Sequence, residues 1–476
     1  MSRKTETTLE ELRLAIHGVA APFSCAGEFV PKEPVTLVFK DGARFEVVRA
    51  DNAYKQEDVV KPYLAHFQSA PFGEGKKTRH DLRVRDALQL KAEKEGFSVE
   101  NFDPESAGVL KKIQRALLPR DRRPITAELY AVNVYTSGGH FAPHKDTPRG
   151  SDMFGTLVVC LPSQFSNGQL ILRHRGLAQT FDWARAICSQ EQTNQVHWAA
   201  FYGDVDHEIK RLYSGARITL TYLLRHGDGA QPERDVADED LAPHVQQAWR
   251  KLLEDPTFMP EGGVLAYPCV HLYHQDARFQ EEQKPVTRQS ETMLKGRDQL
   301  VAATALQAGL GVAFTPYLFE NCANDTWRMD RFPTPGERRG IGRRADPFRL
   351  EKALPILAGS ENDDDFDVTW LDPAPSSGWG LVDSQKEGET AAAALFHSCE
   401  FSVTGYFGNE GSEVDFYTFA ALHIEIPPTG EGPRAASEPP KPSKTPPKRK
   451  SPSPKPKAAG PKSAAPRSTT PRRKSR

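Results

Sequence analysis

The chain has 476 residues, 38% of them hydrophobic and 26% charged, enough for more than one compact domain. Its formal net charge of −1 hides an asymmetry: residues 431–476 hold 14 Lys/Arg against two acids, a net +12, so the other 430 residues carry −13. The six cysteines (Cys25, Cys160, Cys188, Cys269, Cys322 and Cys399) form no CxxC pair, which argues against a disulfide-stapled secreted scaffold. Met1 to Leu14 is charged rather than apolar, and no run of ~18 apolar residues occurs, so neither a signal peptide nor a spanning helix is expected. The expectation is an intracellular protein, with nucleus or cytoplasm left open.

Taken in order, residues 1–120 read as an α/β support region. A short helix starts near Thr8 to Leu14, and VTLVFKDGARFEVV alternates apolar and polar residues on both sides of Asp41-Gly42, the pattern of a hairpin. In residues 105–118 Val109, Leu110, Ile113, Ala116 and Leu117 share one helical face. From 121 to 226 the texture becomes short β-type runs: AELYAVNVYT, GTLVVCLPS, GQLILRHRG, QTFDWA, VHWAAFYGD and ARITLTYLL. Strands at this spacing imply an antiparallel sandwich or barrel. Residues 226–240 read as a polar linker. Residues 241–427 read as a second α+β region with a helix over Leu241 to Leu253, a strand in GGVLAYPCVHLY and an alanine-rich helix near Gln299 to Gly309. Strands follow in VAFTPYLF and at 400–406 and 416–426, with an acidic loop at Glu361 to Asp367. Beyond 427 the Pro/Ser/Lys-rich tail lacks the apolar residues that would offset ordering entropy, and disorder is expected over 428–476.

The chemistry is concentrated in NVYTSGGHFAPHKDTPRG. His144 and Asp146 are two apart, so on extended backbone the imidazole and the carboxylate point the same way. His207, in FYGDVDHEI, would complete a two-histidine, one-carboxylate face, a set suited to non-haem iron(II) because it leaves adjacent positions open. Ten residues on, Arg217 in SGARITLTY could pair bidentately with a carboxylate, with Thr219 on the same side and Tyr135 on the strand before the first ligands. His140 and His144 could alternatively form a helical zinc pair, but Gly138-Gly139 and Pro143 oppose a helix. Asp204 and Asp206 read first as polar loop residues, with orientation of His207 as the alternative. His174 and His197 read as ordinary strand histidines, His271 and His274 lack a nearby third partner in sequence, and Arg149 reads as a surface residue.

The HxD pair, the distal histidine and the arginine ten positions later resemble the 2-oxoglutarate/iron(II)-dependent dioxygenase superfamily, in particular its prolyl 4-hydroxylase-like branch. GGHFAPHKDT, TLVVCLPSQFSNGQLIL and HEIKRLYSGARITLTY carry the likeness; APFGEGKKTRHDLRVR and GNEGSEVDFYTFAALHI add to it without bringing chemistry. The resemblance implies an α+β protein with a double-stranded β-helix (jelly-roll) core, flanking helices and a C-terminal α+β region. It implies Fe(2+), 2-oxoglutarate and O2: one oxygen atom passes to 2-oxoglutarate, giving succinate and carbon dioxide, and the other to the substrate. His144, Asp146 and His207 would hold iron, Arg217 the far carboxylate, with Tyr135 and Thr219 assisting. The implied substrate is a protein, hydroxylated at a prolyl-type site. A nucleic-acid demethylase of the same superfamily is the alternative that the basic tail invites, although Arg225, eight residues after Arg217, matches its usual second arginine poorly. A non-catalytic scaffold is the remaining one. The tail reads as a nuclear signal, a nucleic-acid arm or a plain linker.

Overall fold

The computed structural model describes residues 3–74, 77–92, 96–121, 123–147, 149–150, 152–227, 242–273, 285–287, 290–320, 326–332, 368–372, 401–407, 410–430 and 434. The expected linker core, the acidic loop, His274 and the tail beyond Gly430, except Arg434, lie outside the described residues; Thr429 N of the tail donates to the Pro260 carbonyl at 2.9 Å. The compact unit described ends at Ala436.

Two largely antiparallel sheets make the first core. In the larger, the strands run in the order Ser24–Phe29, Val196–Tyr202, Met153–Cys160, Arg217–His226, Ile125–Tyr135, Leu88–Lys91 and Gln68–Ser69. In the smaller the order is Leu177–Phe181, Leu170–His174, Asp206–Ile209, His140–His144 and Arg85–Asp86. The sheets meet through side chains: Phe201 of the larger packs on His207 of the smaller with ring centroids 4.8 Å apart. Arg85 of the smaller donates to Asn133 Oδ1 of the larger at 2.9 Å. The β-type runs read from sequence all fall on strands, except that QTFDWA ends in a short helix, Trp183–Ser189, capped by Asp182. Each sheet remains a separate ladder among the described residues, so the architecture is a mixed α+β one with antiparallel sheets.

The expected hairpin forms, pairing Thr36–Val38 with Arg44–Glu46, and Gly42 takes the positive φ of 88° that its turn requires. The helix expected over 105–118 spans Val109–Leu117 and buries Val109, Leu110, Ile113 and Leu117. Each such side chain is worth ~1.5–3 kcal/mol against exposure. Its last turn is pinned to the larger sheet, where the Tyr202 hydroxyl donates to the Leu117 carbonyl.

A second core is built on helices Pro243–Glu254 and Gly296–Gln307 against a sheet ordered Thr326–Arg328, Gly311–Glu320, Glu410–Ile426, Gly263–Pro268 and Val368–Trp370. Phe401–Phe407 pairs with Glu410–Ile426 off that path. The opening helix, Arg3–Gly18, belongs to this core: Leu9, Leu12 and Ile16 are buried with Val245, Trp249 and Leu252. Thr5 Oγ1 donates to Asp255 at 3.1 Å. Sequence adjacency would have placed that helix with the first hundred residues, but its apolar face finds its partner some 240 positions away.

Candidate metal centre

Strand pairing brings the sequence-expected residues together. His144 lies directly opposite His207 across the antiparallel pair His140–His144 and Asp206–Ile209, with ring centroids 4.0 Å apart. Directly opposed antiparallel residues share a face, and Asp146 follows just beyond the strand end with Oδ1 3.7 Å from His207 Nε2. The available ligand atoms of His144, Asp146 and His207 all lie within 4.8 Å of one another, a cage of metal-site size. Residues 140–144 are extended, so the helical zinc pair with His140 does not form. The His140 ring nitrogens lie instead against the carbonyls of Gly138 and Arg83, at 3.2 and 3.0 Å.

Second contacts fix which atoms face the cage. His144 Nδ1 donates to the Ala142 carbonyl at 2.9 Å and His207 Nδ1 to the Val205 carbonyl at 3.1 Å. With both Nδ1 protons engaged, both Nε2 lone pairs are left for a metal. Thr156 Oγ1 donates to Asp146 Oδ2 at 2.5 Å, which leaves Oδ1 to face the histidines. Burial, reinforced by the neighbouring His207, holds His144 well below its ordinary value, so the ring is neutral and ready to ligate at neutral pH. Phe141 stacks on His144, and the Arg85 guanidinium lies 4.4 Å from the Phe141 ring on its way to Asn133.

Thr156, Phe201 and Arg85 were not singled out in the sequence. Arg85 ends the segment APFGEGKKTRHDLRVR, the only sequence signal that touches it. Gly138 and Gly139 have a geometric purpose: Gly138 takes φ 87°, and a Cβ on Gly139 would meet the Thr136 carbonyl at 2.8 Å. The turn that launches the His144 strand therefore has no room for a side chain at Gly139.

Arg217 is 1% exposed, yet its Nε and Nη2 have no hydrogen-bond partner among the described residues. Its surroundings are aromatic: the guanidinium lies 5.5 Å from the Tyr135 ring and 5.3 Å from that of Trp183. Register settles which way it faces. Arg217 pairs with Tyr135, Thr219 with both Asn133 and Cys160, and Leu223 with Thr156, which in turn pairs with Phe201. Cross-strand partners and residues two apart share a face, so Arg217, Thr219 and Tyr135 lie on the sheet face from which Thr156 and Phe201 reach Asp146 and His207. Arg217 sits six residues further along that face from Leu223. Arg225, by contrast, is bound to Glu128 at 2.6 Å and Asp152 at 2.8 Å and is not available to a ligand in the same way.

Neither aspartate beside His207 hydrogen-bonds its ring, whose Nδ1 goes to the Val205 carbonyl. Asp206 faces Lys145 at 3.6 Å. Asp204 is buried, where it accepts from His271 Nδ1 at 3.0 Å, Leu272 N at 2.9 Å and Lys295 Nζ at 3.4 Å, with His174 Nε2 at 3.8 Å. Burial pushes the Asp204 carboxyl up, but Lys295, His271 and His174 outweigh it and hold the group well below the usual carboxylate range. His271 has no third partner nearby in sequence, but folding brings His174 and Asp204 to it, their ligand atoms all within 4.8 Å. Tertiary folding makes this second cluster, drawing on three distant stretches of chain. His197 is a buried strand histidine bonded to Gln190 Oε1 at 3.0 Å. Arg149 is exposed and donates to the Tyr130 hydroxyl at 2.8 Å.

No family model and no curated protein matches the chain. Among solved structures it is similar to a 2OG-Fe(II) oxygenase family oxidoreductase from Burkholderia pseudomallei, at 11% identity and TM-score 0.25, over 48% of this chain and 94% of that one. It is also similar to a Pseudomonas putida prolyl-4-hydroxylase, at 14% identity and TM-score 0.25, over 46% and 100% of the two chains. A third is a Trichoplax adhaerens prolyl hydroxylase in complex with a hypoxia inducible factor peptide fragment, at 15% identity and TM-score 0.27, over 48% and 94%. At this level of likeness the functional reading rests on the residues of the site.

Proposed function

We propose that the chain is an iron(II)- and 2-oxoglutarate-dependent dioxygenase whose site is His144, Asp146 and His207 for the metal and Arg217 for the co-substrate. The observation that carries the reading is the Arg217 guanidinium, buried with two unpartnered N–H groups on the face that serves the metal ligands. A charge in that position is costly unless something pairs with it, and a planar fork suits a carboxylate. A metal cage alone would need no such group. A dicarboxylate that chelates through one end and reaches Arg217 with the other answers both features.

The donor set fits the metal: two neutral imidazoles and one carboxylate on one side leave further coordination positions for co-substrate and oxygen. Bound iron(II) would supply the oxygen chemistry that no side chain here can. The protein's own part is placement. Ala142 and Val205 carbonyls hold the two rings in the ligating tautomer, and Thr156 holds the Asp146 carboxylate. Arg217, flanked by Tyr135 and Trp183, offers the far carboxylate a dry cradle where a charged pair is strong. Thr219 and Tyr135 add hydroxyls on the same face. The facing sheets are read as the two sides of a double-stranded β-helix, and the substrate as a protein hydroxylated at a prolyl-type position. That assignment follows the resemblance of GGHFAPHKDT and HEIKRLYSGARITLTY.

The test is succinate formation from 2-oxoglutarate under iron(II) and air. His144→Ala and Asp146→Ala should abolish it while circular dichroism and thermal unfolding stay near those of the unaltered chain. Retained turnover in either variant would reject the site.

A further inference from the structure

The cluster at His174, Asp204 and His271 has the spacing of a metal site, but its chemistry points elsewhere. One oxygen of Asp204 already faces the Lys295 ammonium, and the other accepts from His271 Nδ1 and Leu272 N. A cation is thus in place, and the carboxylate's donors are supplied by the protein.

Its location matters more. Asp204 is three residues before His207, in the turn whose Val205 carbonyl fixes the His207 tautomer, and Val205 is itself fully buried. His174 ends the strand Leu170–His174, whose Leu172 lies directly opposite His207. The cluster therefore grips both the segment leading into His207 and the strand beside it. On the other side, every remaining member belongs to the second core. His271 and Leu272 follow the strand Gly263–Pro268, and Lys295 immediately precedes the helix Gly296–Gln307. Arg175 Nε adds a bond to the Val270 carbonyl at 2.6 Å. That segment is fastened in turn to the helix's first turn: Asp298 accepts from Val270 N at 2.8 Å, His271 N at 3.0 Å and the Tyr273 hydroxyl at 2.9 Å. The Tyr273 hydroxyl then accepts from Lys295 N at 2.9 Å. The interlock leaves little slack, since a Cβ on Gly296, which adopts φ 46°, would meet His271 Nε2 at 2.8 Å.

We propose that the second core acts through Asp204 as a positioning clamp on His207, so that His271, Leu272 and Lys295 set the geometry and affinity of a metal site whose ligands all come from the first core among the described residues. The proposal rests on His207 being a ligand, as argued above. Contacts that orient ligands from behind are worth 10–100-fold in metal affinity, and a slack clamp lets the His207 ring leave the Nε2 direction that His144 and Asp146 define.

Anaerobic cobalt(II) titration of the full chain, followed by its visible absorption and by calorimetry well below the unfolding temperature, tests the clamp without requiring turnover. Asp204→Asn, which removes the charge, and Gly296→Ala, which displaces His271, should each weaken cobalt(II) binding by about 10–100-fold. Leu252→Ala, a cavity in the second core away from the clamp, controls for stability and should bind cobalt(II) as the unaltered chain does. Lys295→Met carries the same expectation if Asp204→Asn does not fold. Unchanged affinity in the clamp variants, or an equal loss in Leu252→Ala, overturns the clamp while leaving the metal site standing. Failure of the unaltered chain to bind cobalt(II) overturns both.

Discussion

Replacing Arg217 by Met should stabilise the ligand-free protein while destroying its response to 2-oxoglutarate. The side chain is 1% exposed and two of its N–H groups have no partner among the described residues. An unpaired buried charge costs several kcal/mol even after relaxation. Two cation–π contacts, with Tyr135 and Trp183, return part of that, at ~1–2 kcal/mol each when desolvated. Methionine fills similar volume with neither effect, so a net gain of about 1–3 kcal/mol is expected, or a few degrees in Tm. In the proposed complex the same change would remove one partner of a buried charge pair, typically ~2–5 kcal/mol, or roughly 30-fold to several-thousand-fold in Kd. Thermal unfolding with manganese(II), with and without 2-oxoglutarate, reads both. A higher Tm without ligand and no added shift from 2-oxoglutarate is the expected pair of results. A lower Tm with the ligand shift intact would refute the reasoning, because Arg217 would then be a structural cation.

Other perturbations follow from the same contacts. Thr156→Val keeps the buried shape but removes the donor to Asp146 Oδ2, so metal affinity measured by calorimetry should fall about tenfold with little change in fold. Stability of the metal-free chain should decline on acidification: burial depresses His271 to about 3 and His423 to about 4, so both stay neutral in the fold while the unfolded chain takes up protons below about 6.5. Asp298, raised to about 6 by burial, acts oppositely between about 6 and 3.8 and offsets only part of that loss, to which His144, likewise held low by burial, adds. Urea unfolding at pH 7 and pH 5 checks the sign. Removing residues 437–476 should leave Tm unchanged, because Arg434, whose guanidinium donates to the Phe258 carbonyl at 2.8 Å, is retained; Arg434→Ala should cost about 1 kcal/mol.

The site was readable where local periodicity specified it. His144 and Asp146 are two apart, and Arg217 begins a run of alternating strand residues, so which side chains share a face followed from spacing, while register decided which face Arg217 takes. Thr156 was not, because its value depends on which strand lies across from it, and register is a tertiary property. The Asp204 clamp was hidden for the same reason: its partners stand at 174, 271, 272 and 295, and only the packing of two cores joins them. The opening helix misleads in the same way, its amphipathic face revealing burial but not the partner. Expectations for the basic tail concern residues outside those described, apart from Arg434, which packs on the second core.

The central claim is that one site holds both a metal and a dicarboxylate. Anaerobic titration of the purified chain with iron(II) and then 2-oxoglutarate, monitored in the visible for the weak charge-transfer band of the chelate, tests it most directly. The account predicts a band that needs both components, disappears in His144→Ala and requires far more 2-oxoglutarate in Arg217→Met. A folded, iron-loaded protein that gives no band on addition of 2-oxoglutarate would contradict it.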